Sequence, residues 1–220
     1  MEDQDIHDLI EGVERADSAV GLLMAVRSLA SSGHKKAIPV LIEALGYNNP
    51  GAAVAAVEGL INLGDVSVPY LLQQIDGYNY GARAWATRAL AGIGHPSALD
   101  HLQEAALTDF SMSVRRSAAK GLGYIGWSKL SGSEAFDGQK QATETLFKVL
   151  EDPEWVVRYA AVVGLQNLAI SLDKESLVNS IVERLEKQLE IEEESGVCAR
   201  VQLALQEVEG SQESGVRSQE

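Results

Sequence analysis

Trp85-Ala-Thr-Arg-Ala-Leu-Ala-Gly-Ile-Gly94 is one of four near-copies within this chain. The others are Ala55-Ala-Val-Glu-Gly-Leu-Ile-Asn-Leu-Gly64, Ser117-Ala-Ala-Lys-Gly-Leu-Gly-Tyr-Ile-Gly126 and Ala160-Ala-Val-Val-Gly-Leu-Gln-Asn-Leu-Ala169. A weaker copy ends Leu29-Ala-Ser-Ser-Gly33. The equivalent leucines, Leu29, Leu60, Leu90, Leu122 and Leu165, are spaced by 31, 30, 32 and 43 residues. A period of that size marks a repeat architecture, in which each unit is one supersecondary element.

Each unit reads as two antiparallel helices. Pro39, Pro69 and Pro96 stand where the first helix begins, a position that tolerates a missing N–H. Gly33, Gly64, Gly94 and Gly126 follow the second helix, where a left-handed residue ends it. Ala82, Ala86, Ala89, Leu90 and Ile93 fall on one face of the second helix in their unit. No unit can bury such a stripe alone, so the units stack. The expected fold is all-α, a HEAT-like helical-repeat solenoid, right-handed, with the second helices on the concave side.

Residues 1–209 read as one domain. An N-terminal capping helix spans 3–15, repeats run over about 18–170, and capping helices fill 174–208. The excess in the last leucine interval is assigned to an exposed loop at 127–141, which contains Ser-Gly-Ser and Asp-Gly. Residues 210–220 are almost devoid of apolar side chains and are expected to be disordered.

The formal net charge of −14 over 220 residues repels phosphate backbones and argues against nucleic acid. No run of eighteen apolar residues occurs, so membrane insertion is not expected. The acidic start (Glu2, Asp3, Asp5) lacks the features of a leader. Cys198 is the single cysteine, which excludes an internal disulfide and suits the cytoplasm. His7, His34, His95 and His101 form no His-Glu pairs, so no metal or other cofactor is expected; His34 and His95 read as helix-end residues. Gly121-Leu-Gly-Tyr-Ile-Gly126 lies at a helix end and carries no dinucleotide meaning.

Arg83, Arg115 and Arg158 each precede their repeat leucine by seven residues. Asp76, Asp109 and Asp152 lie six or seven residues before those arginines. Two readings fit: an Asp–Arg ladder between units, or an anion site for carboxylates. Leu22 and Ala53 hold the arginine position in the first two units. Trp85 interrupts a column that elsewhere holds Met24, Ala55, Ser117 and Ala160. Arg88 lies one turn away, and Tyr78 and Tyr80 sit in the preceding Gly77-Tyr-Asn-Tyr-Gly81. Amphipathic rings beside cations suit a protein interface or a flat conjugated ligand.

The units Phe110-Ser-Met-Ser-Val-Arg-Arg-Ser-Ala-Ala-Lys-Gly-Leu-Gly123 and Asp152-Pro-Glu-Trp-Val-Val-Arg-Tyr-Ala-Ala-Val-Val-Gly-Leu165 resemble the HEAT-like repeats of phycobilisome lyases. Tyr78-Asn-Tyr-Gly-Ala-Arg-Ala-Trp-Ala-Thr-Arg-Ala-Leu-Ala-Gly-Ile-Gly94 is similar to the smaller, β subunit of the heterodimeric E/F-type phycocyanobilin lyases. The resemblance covers roughly residues 20–170. It implies a lyase active only with a larger, E-type partner, which binds phycocyanobilin as substrate and joins it by a thioether to a cysteine of the apo-phycocyanin α subunit. Under that resemblance, Arg83, Arg88 and Arg115 are candidates for the propionates. Tyr78, Tyr80 and Trp85 are candidate walls, and Asp76 or Asp109 a counter-ion favouring the protonated tetrapyrrole. A repeat scaffold without pigment and a phycobilisome-degradation factor are the alternatives.

Far-ultraviolet circular dichroism is expected to report helix without a strand component; a substantial strand signal would contradict the repeat reading.

Overall fold

A computed structural model of the chain describes residues 3–75, 80–172 and 174–217. Among them there is no strand: α-helices are joined by short loops and 3-10 turns. The chain comprises two compact units, Met1–Ala98 and Leu99–Glu220.

The first unit holds α1 (Asp3–Glu14), α2 (Ala19–Ser31), α3 (Ile38–Ala44), α4 (Pro50–Leu63), α5 (Val68–Ile75) and α6 (Tyr80–Ile93). The second holds α7 (Leu99–Thr108), α8 (Met112–Leu122), α9 (Gly132–Val149), α10 (Trp155–Ile170), α11 (Glu175–Ile191) and α12 (Ser195–Arg217). Within each unit the even-numbered helices pack side by side as one layer, and each packs on its odd-numbered partner. Leu29, Leu60, Leu90, Leu122 and Leu165 are all fully buried. The repeat leucines therefore form the seam between the layers.

The punctuation works mostly as read. Pro39 and Pro69 occupy the second position of α3 and α5, each after a 3-10 turn, and Pro96 opens the turn before α7. Gly33, Gly64 and Gly94 take φ of 61°, 69° and 64°, the left-handed region where a Cβ is disfavoured. Gly126 differs, with φ −79°, because the chain there runs into a further 3-10 turn at Trp127–Lys129.

Two boundaries depart from expectation. Residues 127–141 are not an exposed loop: Trp127 is buried, and α9 begins at Gly132. The backbone N–H and hydroxyl of Ser131 both donate to the Glu134 carboxylate at this helix start, at 3.3 and 2.6 Å. The ring of Trp127 packs where a side chain at Gly138 would stand, so the extra residues lengthen a packed helix. The capping helices expected over 174–208 are α11 and α12, a pair whose second helix packs on α10. Finally, α12 continues through the expected tail to Arg217; residues 218–220 lie outside the described ones.

The stretch Pro50–Gln74 is long and apolar enough, by composition, to pass for a membrane span. Half of it is buried in the unit, and the turn Gly64–Ser67 divides it into α4 and α5.

Glycine allows the layers of the second unit to close. A Cβ at Gly164 would lie 2.6 Å from the Ala119 carbonyl oxygen and 3.1 Å from Leu146. Gly164→Ala is therefore expected to destabilise the protein by about 1–3 kcal/mol through overpacking. Gly12, on exposed α1 with nothing within 4 Å of its Cβ position, is the control. Gly12→Ala should be neutral or stabilising by up to about 1 kcal/mol, and denaturant unfolding of the two variants checks both.

Candidate functional site

Two buried forks recur in the second unit. Arg115 Nε and Nη2 donate to the two carboxylate oxygens of Asp152 at 2.7 and 3.1 Å. Arg158 Nε and Nη2 donate to those of Glu192 at 2.8 and 2.7 Å. The remaining nitrogen has a fixed use. Arg115 Nη1 donates to the carbonyls of Asp109 and Phe110 at 2.9 and 3.2 Å, and Arg158 Nη1 donates to those of Asp152 and Pro153 at 3.0 and 3.2 Å. Each arginine thus holds its own inter-helix linker and the acid of the next one.

The acids also cap. Asp109, Asp152 and Glu192 accept from the backbone N–H two residues on, at Ser111, Glu154 and Glu194, over 2.9, 2.9 and 3.0 Å. This satisfies N–H groups at the start of α8, α10 and α12, which have no partner within the helix. The pairing runs forward to the next repeat rather than back to each repeat's own arginine. Glu192 takes the acid position that sequence reading did not assign; its signal is the matching interval from Arg158, 34 residues against 37 for Arg115 and Asp152. Cys198 ends the series: its thiol donates to the Glu192 carbonyl at 3.3 Å, the place where the arginines reach back to Asp109 and Asp152. In the first unit, where Leu22 and Ala53 replace arginine, Asn49 makes the link. Its amide donates to the Ala19 carbonyl at 2.8 Å and its oxygen accepts from Ala52 N–H at 3.1 Å.

The candidate residues separate into groups. Trp85 is partly exposed on α6, with exposed Arg88 placing its guanidinium carbon 5.5 Å from the indole centroid. Arg83 is partly buried on the same helix, and its carbonyl accepts from Thr87 Oγ1 at 3.0 Å. Tyr80 opens α6, while Asp76 and Tyr78 lie outside the described residues. Asp109 and Arg115 come together through the ladder. The site reading of Arg115 meets a physical obstacle there: its Nε, Nη1 and Nη2 all donate within the protein, and its side chain is 13% exposed. His34 and His95 act as helix-end acceptors, each Nδ1 receiving the N–H two residues on at 3.2 Å.

Beyond Arg116 and Tyr124, held as the fallback to Trp85, sequence reading did not assign the exposed residues of α8 and α10. Met112, Arg116 and Lys120 share one line on α8, and Trp155 and Tyr159 share the equivalent line on α10. All five are exposed. Their signal was available as cations at Arg116 and Lys120 and rings at Trp155 and Tyr159, each pair four residues apart.

Paired helices joined by a forward-reaching ladder define a HEAT-type repeat protein. The HEAT-repeat family model matches residues 68–137, and the model of the phycobilisome-lyase HEAT-like repeat matches residues 23–47. The chain is 61% identical over 165 residues to the phycocyanin alpha phycocyanobilin lyase CpcF of Synechocystis sp., covering 75% of this chain and 77% of that protein. It is 48% identical over 198 residues to the phycocyanobilin lyase subunit beta of Nostoc sp., covering 90% of this chain and 98% of the relative. Among solved structures, the complex of CpcE and CpcF of phycocyanin lyase from Nostoc sp. PCC7120 matches with a TM-score of 0.71 and 50% identity, over 77% of this chain and 98% of the matched one. A designed armadillo repeat protein, 18% identical over 92% of this chain and 99% of its own with a TM-score of 0.50, shares the fold alone. The chain belongs to the family of phycocyanobilin lyase β subunits.

The ladder has a pH signature. The Arg158 hydrogen bonds, backed by the Glu194 N–H, hold the Glu192 carboxyl down from 4.5 to about 2. A carboxylate whose folded pKa is depressed stabilises fully above its unfolded value, and the contribution is lost as pH falls through the folded one. Glu192→Gln should lose stability at pH 7 and show a shallower further loss between about pH 4.5 and about pH 2. Arg158→Ala strands a carboxylate that is 2% exposed and should cost about 3–5 kcal/mol at pH 7. Denaturant unfolding across that pH range checks both.

Proposed function

We propose that this chain is the smaller subunit of a heterodimeric bilin lyase, working in the cytoplasm with a larger E-type repeat protein. The pair binds phycocyanobilin and attaches it to a cysteine of the apo-phycocyanin α subunit. The observation that carries this reading is the 50% identity, over most of the chain, to one member of a two-subunit lyase complex.

The chemistry asks little of this chain in the way of a nucleophile. The acceptor thiol adds across the ethylidene double bond of ring A; a carbon–sulfur bond forms, the thiol proton passes to the tetrapyrrole, and nothing leaves. The subunits have to hold the pigment, exclude stray thiols and favour the protonated, more electrophilic tetrapyrrole. Cys198 is engaged with the Glu192 carbonyl, which supports an external thiol. Trp85 and Arg88 offer a partly exposed ring and an exposed cation to pigment or partner. With Arg115 and Asp109 committed to the ladder, the propionate and counter-ion candidates on this chain narrow to Arg83, Arg88 and Asp76, with Tyr78 and Tyr80 as further walls.

The test combines the chain, the larger subunit, phycocyanobilin and apo-α-phycocyanin. The expected result is co-elution of the two subunits and an absorption spectrum of covalent adduct that requires both. A strictly monomeric elution profile, or a spectrum of free bilin only, would reject the reading; adduct loss in place of gain would indicate a detaching factor. Within that assay, Trp85→Ala should cost far less stability than the about 3–5 kcal/mol of a buried tryptophan, yet weaken transfer. A melting temperature lowered as by a core deletion would return Trp85 to packing.

A further inference from the structure

We infer that the face built by α8, α10 and α12 is a receptor for one propionate arm of a linear tetrapyrrole, with Arg200 as carboxylate anchor and Tyr159 and Trp155 as the wall for the ring that bears it. The inference rests on the lyase reading.

The argument starts from an imbalance of charge. Arg115 and Arg158, both largely buried, each meet a bidentate carboxylate. Arg200, on α12, is only 8% exposed, yet its acceptor is a neutral amide. Nη2 donates to Gln166 Oε1 at 2.5 Å, and Nη1 is buried without a hydrogen-bond partner. Withdrawing a guanidinium from water without a counter-charge is unfavourable. In a unit that supplies carboxylates to its other two buried arginines of this kind, the missing partner is one carboxylate.

The surroundings say what carries it. The Arg200 guanidinium carbon stands 5.9 Å from the centroid of Tyr159, and that ring is itself 39% exposed. One turn earlier on α10, Trp155 is 47% exposed. Across from them on α8, Arg116 and Lys120 are exposed, Lys120 lying 5.6 Å over the Tyr124 ring, and Met112 is half exposed. In a chain of net charge −14, a local cluster of cations and rings selects an anion with a flat apolar body. A propionate arm has both parts: a carboxylate to pair with the Arg200 guanidinium, whose Nη1 lacks an acceptor, and a conjugated ring to lie on the exposed phenol and indole.

The test uses the full chain in complex with its larger subunit, titrated with biliverdin and with biliverdin dimethyl ester. Tryptophan quenching and the induced circular dichroism of the pigment report binding. The free acid is expected to bind at least about tenfold tighter than the ester, as loss of a buried charge-assisted pair predicts. Arg200→Met should cut that preference severalfold, leaving only what the second propionate contributes elsewhere, Arg200→Lys should keep more of it, and Trp155→Ala should weaken acid and ester alike. Without pigment, Arg200→Met should melt at the wild-type temperature or above, because an uncompensated buried charge has been removed; a purely structural arginine would give a lower melting temperature. Should Arg200→Met not fold, the inference fails on that readout, and Arg200→Lys and Trp155→Ala still report the acid-to-ester ratio independently. An unchanged ratio in Arg200→Met, or loss of subunit assembly in the absence of pigment, overturns the inference and leaves the lyase reading standing. A wild-type complex that binds neither pigment overturns both.

Discussion

The buried fork between a guanidinium and the acid of the following linker is the contact on which the second unit depends. Hydrophobic stripes alone would let neighbouring helix pairs slide, since alanine and leucine faces have no preferred register. Arg115 with Asp152, and Arg158 with Glu192, remove that freedom by two parallel hydrogen bonds each. The same acids cap the helices they precede. One carboxylate therefore sets both the start of its helix and its distance from the helix before it. Such a pair stabilises less than its geometry suggests, because both charges are desolvated. Its larger effect is to make the arrangement specific: breaking one partner leaves a charge stranded in the seam.

That constraint shapes where function can reside. Residues that look reactive in sequence, an arginine column, a regular aspartate spacing and a lone thiol, are mostly taken up by the ladder and its terminus. What remains available lies on the exposed lines of the even-numbered helices: Trp85 with Arg88 in the first unit, and Trp155, Tyr159, Arg116 and Lys120 in the second. These are the exposed or partly exposed side chains to which the proposed lyase function assigns a flat, anionic pigment. Arg200 belongs to both worlds, placed like a structural arginine and lacking the carboxylate that would make it one.

Much of the architecture was legible because it depends on local chemistry. The leucine period, the proline beside each first helix and the glycine after Leu29, Leu60 and Leu90 are properties of short stretches, and the structure repeats them. The insertion was not legible for a related reason. Ser-Gly-Ser and Asp-Gly are turn signals in isolation, but Trp127 supplies a buried ring against Gly138, and that distant packing converts the stretch into helix. The C-terminal pair was legible despite its acidic surface, because Val197, Val201, Ala204 and Val208 recur at helical spacing and are buried.

By itself, the sequence determined the repeat, its helical pairs and the residues rich enough in charge and ring area to matter, because spacing along one chain sets which side chains share a helix face. The tertiary structure decided which of them are free to act. Whether an arginine binds a ligand or a neighbouring linker depends on an acid 34 or 37 residues away, and only the packing of successive helices brings that acid within hydrogen-bonding distance. The same packing put Arg200 beside Gln166 rather than a carboxylate, a difference that no local pattern in the chain encodes.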